Sequence, residues 1–314
     1  MLINPRIPAL VCAVVLLAVG TRALAEACPD ADAAALAWLD KMSRSLHEVS
    51  YHGVITLQRG DDMQVIQVSH RVDDAAASET LTRLTGQGAQ VDRTAHPLEC
   101  VHPGHRLLRL GSELQAGHCG IAEQYRFSVG ADARVAGRTA VLIQIAPRDM
   151  YRFGYSMALD RETGLLLRSE TLGRGNNPLE TFQFSRVVFD AEAPVAAAEL
   201  VHRAEHPHPD EASRRGAVSR PWQVTWLPGG FTATDSPAAL AARRTFTDGL
   251  AVMSVFLEEL GRELRPGEGL VREGGTTSYT RGMLLGGQPV LITVIGEVPV
   301  NTARMVADSV EWMQ

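Results

Sequence analysis

The chain has 314 residues, of which 45% are hydrophobic and 21% are charged, a composition that allows two ordinary domains with real cores. Its formal net charge is -6. A negative charge argues against nucleic acid as a partner, because binding to phosphate needs the opposite sign.

The first 25 residues have the features of a secretory signal peptide. Arg6 precedes an apolar run from Ile7 to Val19, and Ala23-Leu24-Ala25 supplies the small-x-small cleavage pattern. The run is short for a membrane span, which needs about 20 apolar residues, so an uncleaved anchor is the less favoured alternative. Cleavage before Glu26 removes Arg6 and Arg22 and takes the formal net charge to -8. We expect an exported and soluble mature protein.

A helix is predicted over residues 31–47. Leu36, Leu39, Met42 and Leu46 fall on one stripe, and acidic residues stand at its start, where the helix dipole favours them.

Strand patterns then follow for some 140 residues. The opening hairpin spans residues 50–73, with Ile55 and Leu57 on the same face as Tyr51 and a turn at Gly60. Further strands are predicted at 106–110, 140–146, 152–160, 164–170 and 181–189, with a turn at 160–164 in which Gly164 takes a positive φ. Sequential strands on short turns indicate an antiparallel sheet that has to curl.

The strand pattern stops after residue 190, which predicts a first domain over 26–190 and a linker over 191–221 that is rich in Ala, Pro and charge. The second domain is predicted over 222–314, with a long strand at 247–260 and a buried strand at 289–297. A closing helix follows Pro299, with Asn301 as its N-cap and Ala303, Val306, Val310 and Met313 on one face. Together these patterns predict an α+β protein.

Three cysteines remain after cleavage, Cys28, Cys100 and Cys119. An oxidising compartment favours a Cys100–Cys119 disulfide, whose loop of about 20 residues would contribute about 3 kcal/mol; Cys28 would then be free or paired between chains. The alternative is a metal site built from Cys100, His102, His105, His118 and Cys119. Because the cysteines prefer each other outside the cell, we expect no metal and no other cofactor.

No catalytic motif stands in the context that its chemistry requires. His47 and His52 resemble a zinc-protease pair but are five residues apart and straddle the end of a helix. The serine of Gly154-Tyr-Ser-Met-Ala158 lies inside a strand rather than at a strand-to-helix turn. We therefore expect a protein that is not an enzyme.

Several strands of the first domain are apolar on both faces, and one clear helix is available to cover a large sheet. A curved sheet of this kind can leave an apolar cavity, as ligand-binding barrels do, although a fully packed core explains the same periodicity. The candidates for the cavity wall are Ile55, Leu57, Val65, Val141, Ile143, Ile145 and Leu166.

Four stretches carry a resemblance to a known family: residues 36–58 ("LAWLDKMSRSLHEVSYHGVITLQ"), Trp226–Phe231 ("WLPGGF"), 246–256 ("FTDGL" with "SVF") and 296–303 ("GEVP" with "TA"). Their order and approximate spacing resemble the RseB/MucB family of periplasmic regulators of the envelope-stress sigma factor. The likeness spans the mature chain and is weakest around 85–135. Phe246-Thr247 stands where the family has a tyrosine before Asp-Gly-Leu, which keeps the ring and loses the hydroxyl.

The resemblance implies a first domain like the lipoprotein carriers LolA and LolB, an unclosed antiparallel β-barrel over helices, with a smaller α+β second domain. It implies a periplasmic protein that binds the periplasmic segment of an anti-sigma factor of the RseA/MucA type, shields it from the site-1 protease, and is released by a lipid or a mislocalised lipoprotein. A homodimer is left open, and a lipid carrier with no regulatory role is the alternative. The partner-binding candidates are Trp226, Leu227, Phe231, Phe246 and Asp248, and aromatic side chains among them would serve as exposed anchors, unless Trp226 and Phe231 belong to the domain core.

Overall fold

The structure is a computed structural model that describes residues 32–72, 77–86, 90–96, 120–189, 201–203, 218–234, 241–261 and 267–313. Several predicted features lie outside the described residues: the signal peptide, the strand at 106–110, Cys28, Cys100, Cys119, His102, His105 and His118.

Helix α1 spans Ala33–Glu48, close to its predicted range. Asp32 is its N-cap, and the carboxylate accepts hydrogen bonds from the backbone N–H groups of Ala34 and Ala35, which satisfies two donors that the first turn leaves free. Leu39 and Met42 of the predicted stripe are buried. The apolar stripe therefore packs the helix on the first sheet.

The first sheet has ten strands among the described residues, in the order β10-β4-β3-β2-β1-β9-β8-β7-β6-β5. Their bounds are β1 Tyr51–Arg59, β2 Asp62–Val72, β3 Ala77–Arg83, β4 Gln90–His96, β5 Tyr125–Val135, β6 Arg138–Pro147, β7 Gly154–Asp160, β8 Leu166–Leu172, β9 Pro178–Val188 and β10 Val201–Arg203. All neighbours are antiparallel except β4 and β10. The end strands β5 and β10 do not pair with each other, so the described sheet is unclosed and antiparallel, as predicted.

Two turns of this sheet form as predicted. A two-residue turn joins β1 to β2, with Gly60 at φ +57°. The turn after β7 is held by the carboxylate of Asp160, which accepts from the backbone N–H groups of Glu162 and Thr163, and Gly164 takes φ +82°. A side chain at Gly164 would meet Lys41 at 2.7 Å, so this turn also touches helix α1.

The described residues of the second domain form six strands in one sheet, in the order β12-β13-β14-β17-β16-β15, and a separate pair, β11 and β18. The bounds are β11 Trp222–Val224, β12 Thr232–Ala233, β13 Arg243–Thr247, β14 Val252–Glu259, β15 Glu268–Glu273, β16 Thr276–Leu285, β17 Gln288–Gly296, helix α2 Val300–Asp308 and β18 Val310–Trp312. Helix α2 buries Ala303 and Val306 against this sheet. The described architecture is α+β, as predicted.

The predicted closing helix is wrong at both ends. Asn301 is not the N-cap: Pro299 precedes the first helical residue, and the Asn301 amide instead donates to the carbonyl of Met150 at 3.4 Å. The helix ends at Asp308, after which Val310 belongs to β18 and pairs with Val224, while Met313 is 47% exposed. The chain end therefore returns to the start of its own domain.

The predicted linker is wrong for part of its length. Residues 201–203 form β10, which pairs with β4 of the first sheet, and Val218 is buried in the core of the second domain. The sequence pattern predicts neither strand β10 nor the burial of Val218, because a three-residue strand and a single buried valine produce no periodicity.

Candidate functional site at the domain border

The described border between the domains is built around Arg152, which lies between β6 and β7. Its Nη1 lies 2.6 Å from Oδ2 of Asp248 in the second domain, and both side chains are 0% exposed. Its Nη2 donates to the carbonyl of Gly229 at 2.5 Å, and its Nε donates to Asp149 at 3.1 Å. One guanidinium therefore binds its own domain and two segments of the other.

Two aromatic rings flank the same guanidinium. The rings of Tyr125, from the first domain, and Phe231, from the second, each lie 5.4 Å from the guanidinium carbon of Arg152. Apolar rings exclude water from the ion pair and interact favourably with its cation. The charge is thus shielded from solvent by one side chain from each domain.

Asp248 is held in place by its own turn before it meets Arg152. Its Oδ1 accepts from the backbone N–H groups of Leu250 and Ala251, and Gly249 takes φ +101°, a conformation that glycine adopts without strain. Its Oδ2 also accepts from the hydroxyl of Tyr125 at 2.9 Å. Because both oxygens are used, the carboxylate is oriented for the interdomain contact.

The electrostatics fix the charge states of Tyr125 and Arg152 in this cluster. Burial, followed by the carboxylate of Asp248, raises the pKa of Tyr125 well above its ordinary value, so the hydroxyl stays a donor. Burial alone would lower the pKa of Arg152, but the hydrogen bond to Asp149 and the charge of Asp248 raise it. Tyr125 therefore stays neutral and Arg152 stays charged across the physiological pH range.

Three further contacts join the two domains along the border. The Thr302 hydroxyl at the start of α2 donates to the carbonyl of Tyr151 at 2.8 Å, and the ring of Tyr151 packs edge-on against Trp226 with 5.3 Å between ring centroids. The turn between β15 and β16 approaches the first sheet, where a Cβ on Gly275 would lie 3.1 Å from Cγ2 of Thr171.

A cleft of about 910 Å³ opens along this border. From the first domain it is lined by the connection between β6 and β7, which includes Met150, and by the connection between β8 and β9, which includes Arg174. From the second domain it is lined by Arg272 of β15 and the start of α2. Its volume is in the range of a ligand or peptide site.

The partner-binding candidates do not form an exposed patch. Phe231 and Phe246 are each 6% exposed and belong to the core of the second domain, so the expectation of exposure is wrong for Phe231. Trp226 and Leu227 are half-buried against the same core. Asp248 is buried in the ion pair. Three of the five, Trp226, Phe231 and Asp248, contact the domain border, and their role in partner binding stays a prediction.

The candidates for an apolar cavity fall into different surroundings. Val141, Ile143 and Ile145 are buried beneath α1 with Leu39, and Leu166 packs beside them. Ile55 and Leu57 pair directly with Phe184 and Phe182 of β9. Val65 pairs with Thr56, and because directly paired residues share a face and strand neighbours alternate, Val65 lies on the face opposite to Ile55. These seven residues therefore do not line one continuous wall.

The residues that organise the border were missed in the sequence. Arg152 and Tyr125 carry no motif, and only tertiary structure reveals that they meet Asp248. The sequence did mark the segments of the second domain that contact these residues. The family-like stretches 226–231, 246–250 and 296–303 all reach the border.

No group of three or more His, Cys, Asp or Glu side chains in the described part of the chain is placed to hold a metal ion. None of the described helices is long and apolar enough to cross a membrane.

Comparison with known families accounts for most of the chain. The profile described as the MucB/RseB N-terminal domain matches residues 34–204, and that of the MucB/RseB C-terminal domain matches residues 216–311. The chain belongs to the MucB/RseB family. The resemblance found in the sequence is thereby confirmed.

Family members of known role are similar over most of their length. The sigma factor AlgU regulatory protein MucB of Pseudomonas aeruginosa is 31% identical over 87% of this chain and 89% of its own. The sigma-E factor regulatory protein RseB of Haemophilus influenzae is 25% identical over 87% of this chain and 90% of its own. By their names these MucB/RseB proteins are regulators rather than enzymes.

Solved MucB structures share the fold across both domains. A crystal structure of MucB in complex with MucA(peri) is 31% identical, covers 90% of this chain and 100% of that one, and superposes with a TM-score of 0.70. A crystal structure of MucB, with the same coverage and 29% identity, superposes with a TM-score of 0.57.

Proposed function

We propose that this protein is a periplasmic regulator that binds the periplasmic segment of a transmembrane anti-sigma factor. The observation that carries the proposal is the likeness, across both domains, to a MucB structure in complex with MucA(peri). The names of the related MucB and RseB proteins as sigma factor regulators support the same function.

We further propose that binding shields the segment from the site-1 protease and that an acylated signal weakens the grip. A lipid can release the partner only if it binds one state of the protein better than the other. Burial of an acyl chain supplies about 0.8 kcal/mol per CH₂ group, which is ample for a shift of that kind. The apolar residues of the first domain are the proposed source of this binding free energy.

The domain border supports a mechanism in which the two states differ in domain arrangement. The partner would bind across the border, close to Trp226 and Asp248, and the lipid would favour a state in which the contacts of Arg152 are broken. A cluster made of groups from both domains forms or breaks as a unit, so it suits a two-state element.

The first test is a titration of the purified mature protein with the soluble periplasmic segment of the anti-sigma factor, with and without an acylated lipid. Binding in the nanomolar to micromolar range that weakens as lipid is added supports the regulator, as does slower cleavage of the segment by the site-1 protease. Lipid binding with no partner binding would instead assign a carrier role and reject the proposal.

A cross-link tests whether release requires movement at the border. A Cβ on Gly275 would lie 3.5 Å from the Cβ of Thr171, within the range for a disulfide. The variant Thr171→Cys/Gly275→Cys should bind the partner, resist lipid-driven release when oxidised, and recover release when reduced. The wild-type protein under both redox conditions is the control, since it contains native cysteines. Unchanged release from the oxidised variant would reject the proposed domain movement.

A further inference from the structure

Four strands end the two large sheets among the described residues, and they differ in how well their free edges are protected. Strands β10 and β12 have three and two residues, too few to pair stably with another chain. Strand β5 contains a register shift between Val129 and Asp132, and the N–H of Val129 is already bound to the carboxylate of Asp32 at 3.2 Å. Bulges and capped groups of this kind protect an edge.

Strand β15 has none of these protections. Its six residues, Glu268–Glu273, pair with β16 in an unbroken register and are all exposed. Gly269, Leu270 and Val271 form an uncharged centre, in which Leu270 is 51% and Val271 is 66% exposed. A regular edge strand with exposed apolar side chains is a template for strand addition.

The register identifies which backbone groups of β15 are free. A two-residue turn, Gly274-Gly275, joins β15 to β16, so the flanking pair Glu273 and Thr276 exchanges hydrogen bonds. Alternation then directs the N–H and C=O groups of Glu268, Leu270 and Arg272 away from β16. The bond from the N–H of Gly282 to the carbonyl of Gly267 at 2.7 Å fits the same phase.

Two arginines near this edge are available to an acidic side chain of an occupant, while the strand's own carboxylates, Glu268 and Glu273, lie at its two ends. Arg272 and Arg174 of the first domain both line the border cleft, and both are exposed residues. Within the described part of the chain, no carboxylate lies within ion-pair distance of either guanidinium. The carboxylate of Asp149, which also lines the cleft, is already bound to Arg152.

We propose that β15 is a docking strand, to which an extended acidic stretch of the anti-sigma factor's periplasmic segment adds by main-chain hydrogen bonds at Leu270 and Arg272, with its carboxylates near Arg174 and Arg272. This inference rests on the proposed function, because that function supplies the partner. The added strand would continue from the sheet of the second domain into the border cleft.

Residue-resolved hydrogen exchange tests the contact in the unaltered protein. The amides of Leu270 and Arg272 should exchange fast in the free mature protein and at least about tenfold more slowly with the purified partner segment. The amides of Gly269 and Val271 already donate to β16 and should change little, so they are internal controls.

A pair of variants separates the main chain from the side chain. Leu270→Pro removes the free N–H at an edge position that accepts proline, whereas Leu270→Ala keeps it. We expect Leu270→Pro to bind the partner segment about tenfold more weakly than Leu270→Ala, with equal thermal midpoints. Arg272→Glu should also weaken binding and reduce its salt dependence.

The outcomes distinguish this inference from the function on which it rests. No binding by the wild-type protein would reject the proposed function and the inference together. Binding without protection at Leu270 and Arg272 would reject the docking strand alone. Protection that depends on protein concentration in the absence of partner would assign the edge to a second copy of this chain and also reject the inference.

Discussion

Two carboxylates in the described chain are buried against an arginine, Asp160 in the first domain and Asp248 at the domain border. Asp160 lies 22 residues from Arg138 along the chain, and Arg138 is 26% exposed and also reaches Glu162. Asp248 lies 96 residues from Arg152, and both side chains are fully buried. The first pair fixes a turn within one sheet, whereas the second exists only while the two domains are docked.

The comparison shows that similar ion pairs stabilise the fold of one domain in the first case and the arrangement of two domains in the second. The Asp160 pair contributes to the folding of the first domain in any arrangement of the molecule. The Asp248 pair contributes to the domain arrangement, because separation of the domains breaks the ion pair and its hydrogen bonds. Mutations at the two sites should therefore change different measured quantities. The expected effects differ in size.

The largest effect is expected for Arg152→Met, which leaves Asp149 and Asp248 without their cation. Loss of one partner from a fully buried ion pair costs about 3–5 kcal/mol. Calorimetry should show the unfolding transition lowered and split, and small-angle scattering should show a larger radius of gyration as the domains separate. Arg174→Met at the exposed cleft wall is the control and should change neither the unfolding transition nor the radius of gyration. An unchanged scattering curve for Arg152→Met would contradict the assignment of the Arg152–Asp248 pair to domain docking.

A smaller effect is expected for Asp160→Asn. We expect a loss of about 2 kcal/mol in the free energy of unfolding by urea, less than for a fully buried pair because Arg138 is partly solvated. The scattering curve should match that of the wild type, since this pair lies within one domain. A change in domain arrangement would show that the two pairs are coupled.

Gly230→Ala tests the border through backbone and shape rather than charge. Gly230 has φ +83°, and an added Cβ would lie 2.7 Å from Cγ of Gln124 in the first domain, so we expect a loss of about 1–2 kcal/mol. Gly229→Ala is the matched control, because its Cβ would lie 3.4 Å from the end of the flexible Gln124 side chain and its φ is not left-handed. Equal thermal midpoints for the two variants would show that the border adapts at this point.

The smallest effect is the acid sensitivity of the Asp160 turn. Burial alone would raise the pKa of Asp160, but hydrogen bonds from Arg138 and Thr163 hold it below the ordinary 3.8. A lowered folded-state pKa gives stability that is present above the ordinary pKa and is lost as the pH falls through the folded pKa. Urea unfolding of the wild type below about pH 4 should therefore lose stability more steeply with acid than Asp160→Asn does, and parallel pH profiles would contradict this.

Local rules predicted much of the fold. The hairpin after α1 alternates apolar and polar residues around a glycine turn, and Gly164 follows an aspartate that closes its own turn, so both were readable from a few neighbouring residues. The helical spacing of Ala303 and Val306 continues through Val310 and Met313 and predicts helix where the structure has β18. Pairing of β18 with β11, about 90 residues earlier in the chain, overrides that pattern.

The same local rules do not predict the contacts at the domain border. An arginine between two strands is ordinary on a surface, and its burial follows only from the docking of Asp248, Gly229 and Phe231 around it. The candidate anchors Phe231 and Phe246 were identified by type, but residue type does not distinguish a core aromatic from an exposed one. A residue that is buried only by the docking of two domains produces no periodic pattern in the sequence of either domain.

The position of β9 in the first sheet has a consequence for how the chain folds. Strand β9 pairs on one side with β8 and on the other with β1, so Thr56 meets Gln183 across 127 residues. The opening hairpin can form early, but β9, the second neighbour of β1, follows only after nearly the whole first domain. Pairings this distant in sequence form slowly, so the folding chain passes through a stage in which β1 presents an unpaired edge, and that edge is open to aggregation until β9 pairs with it.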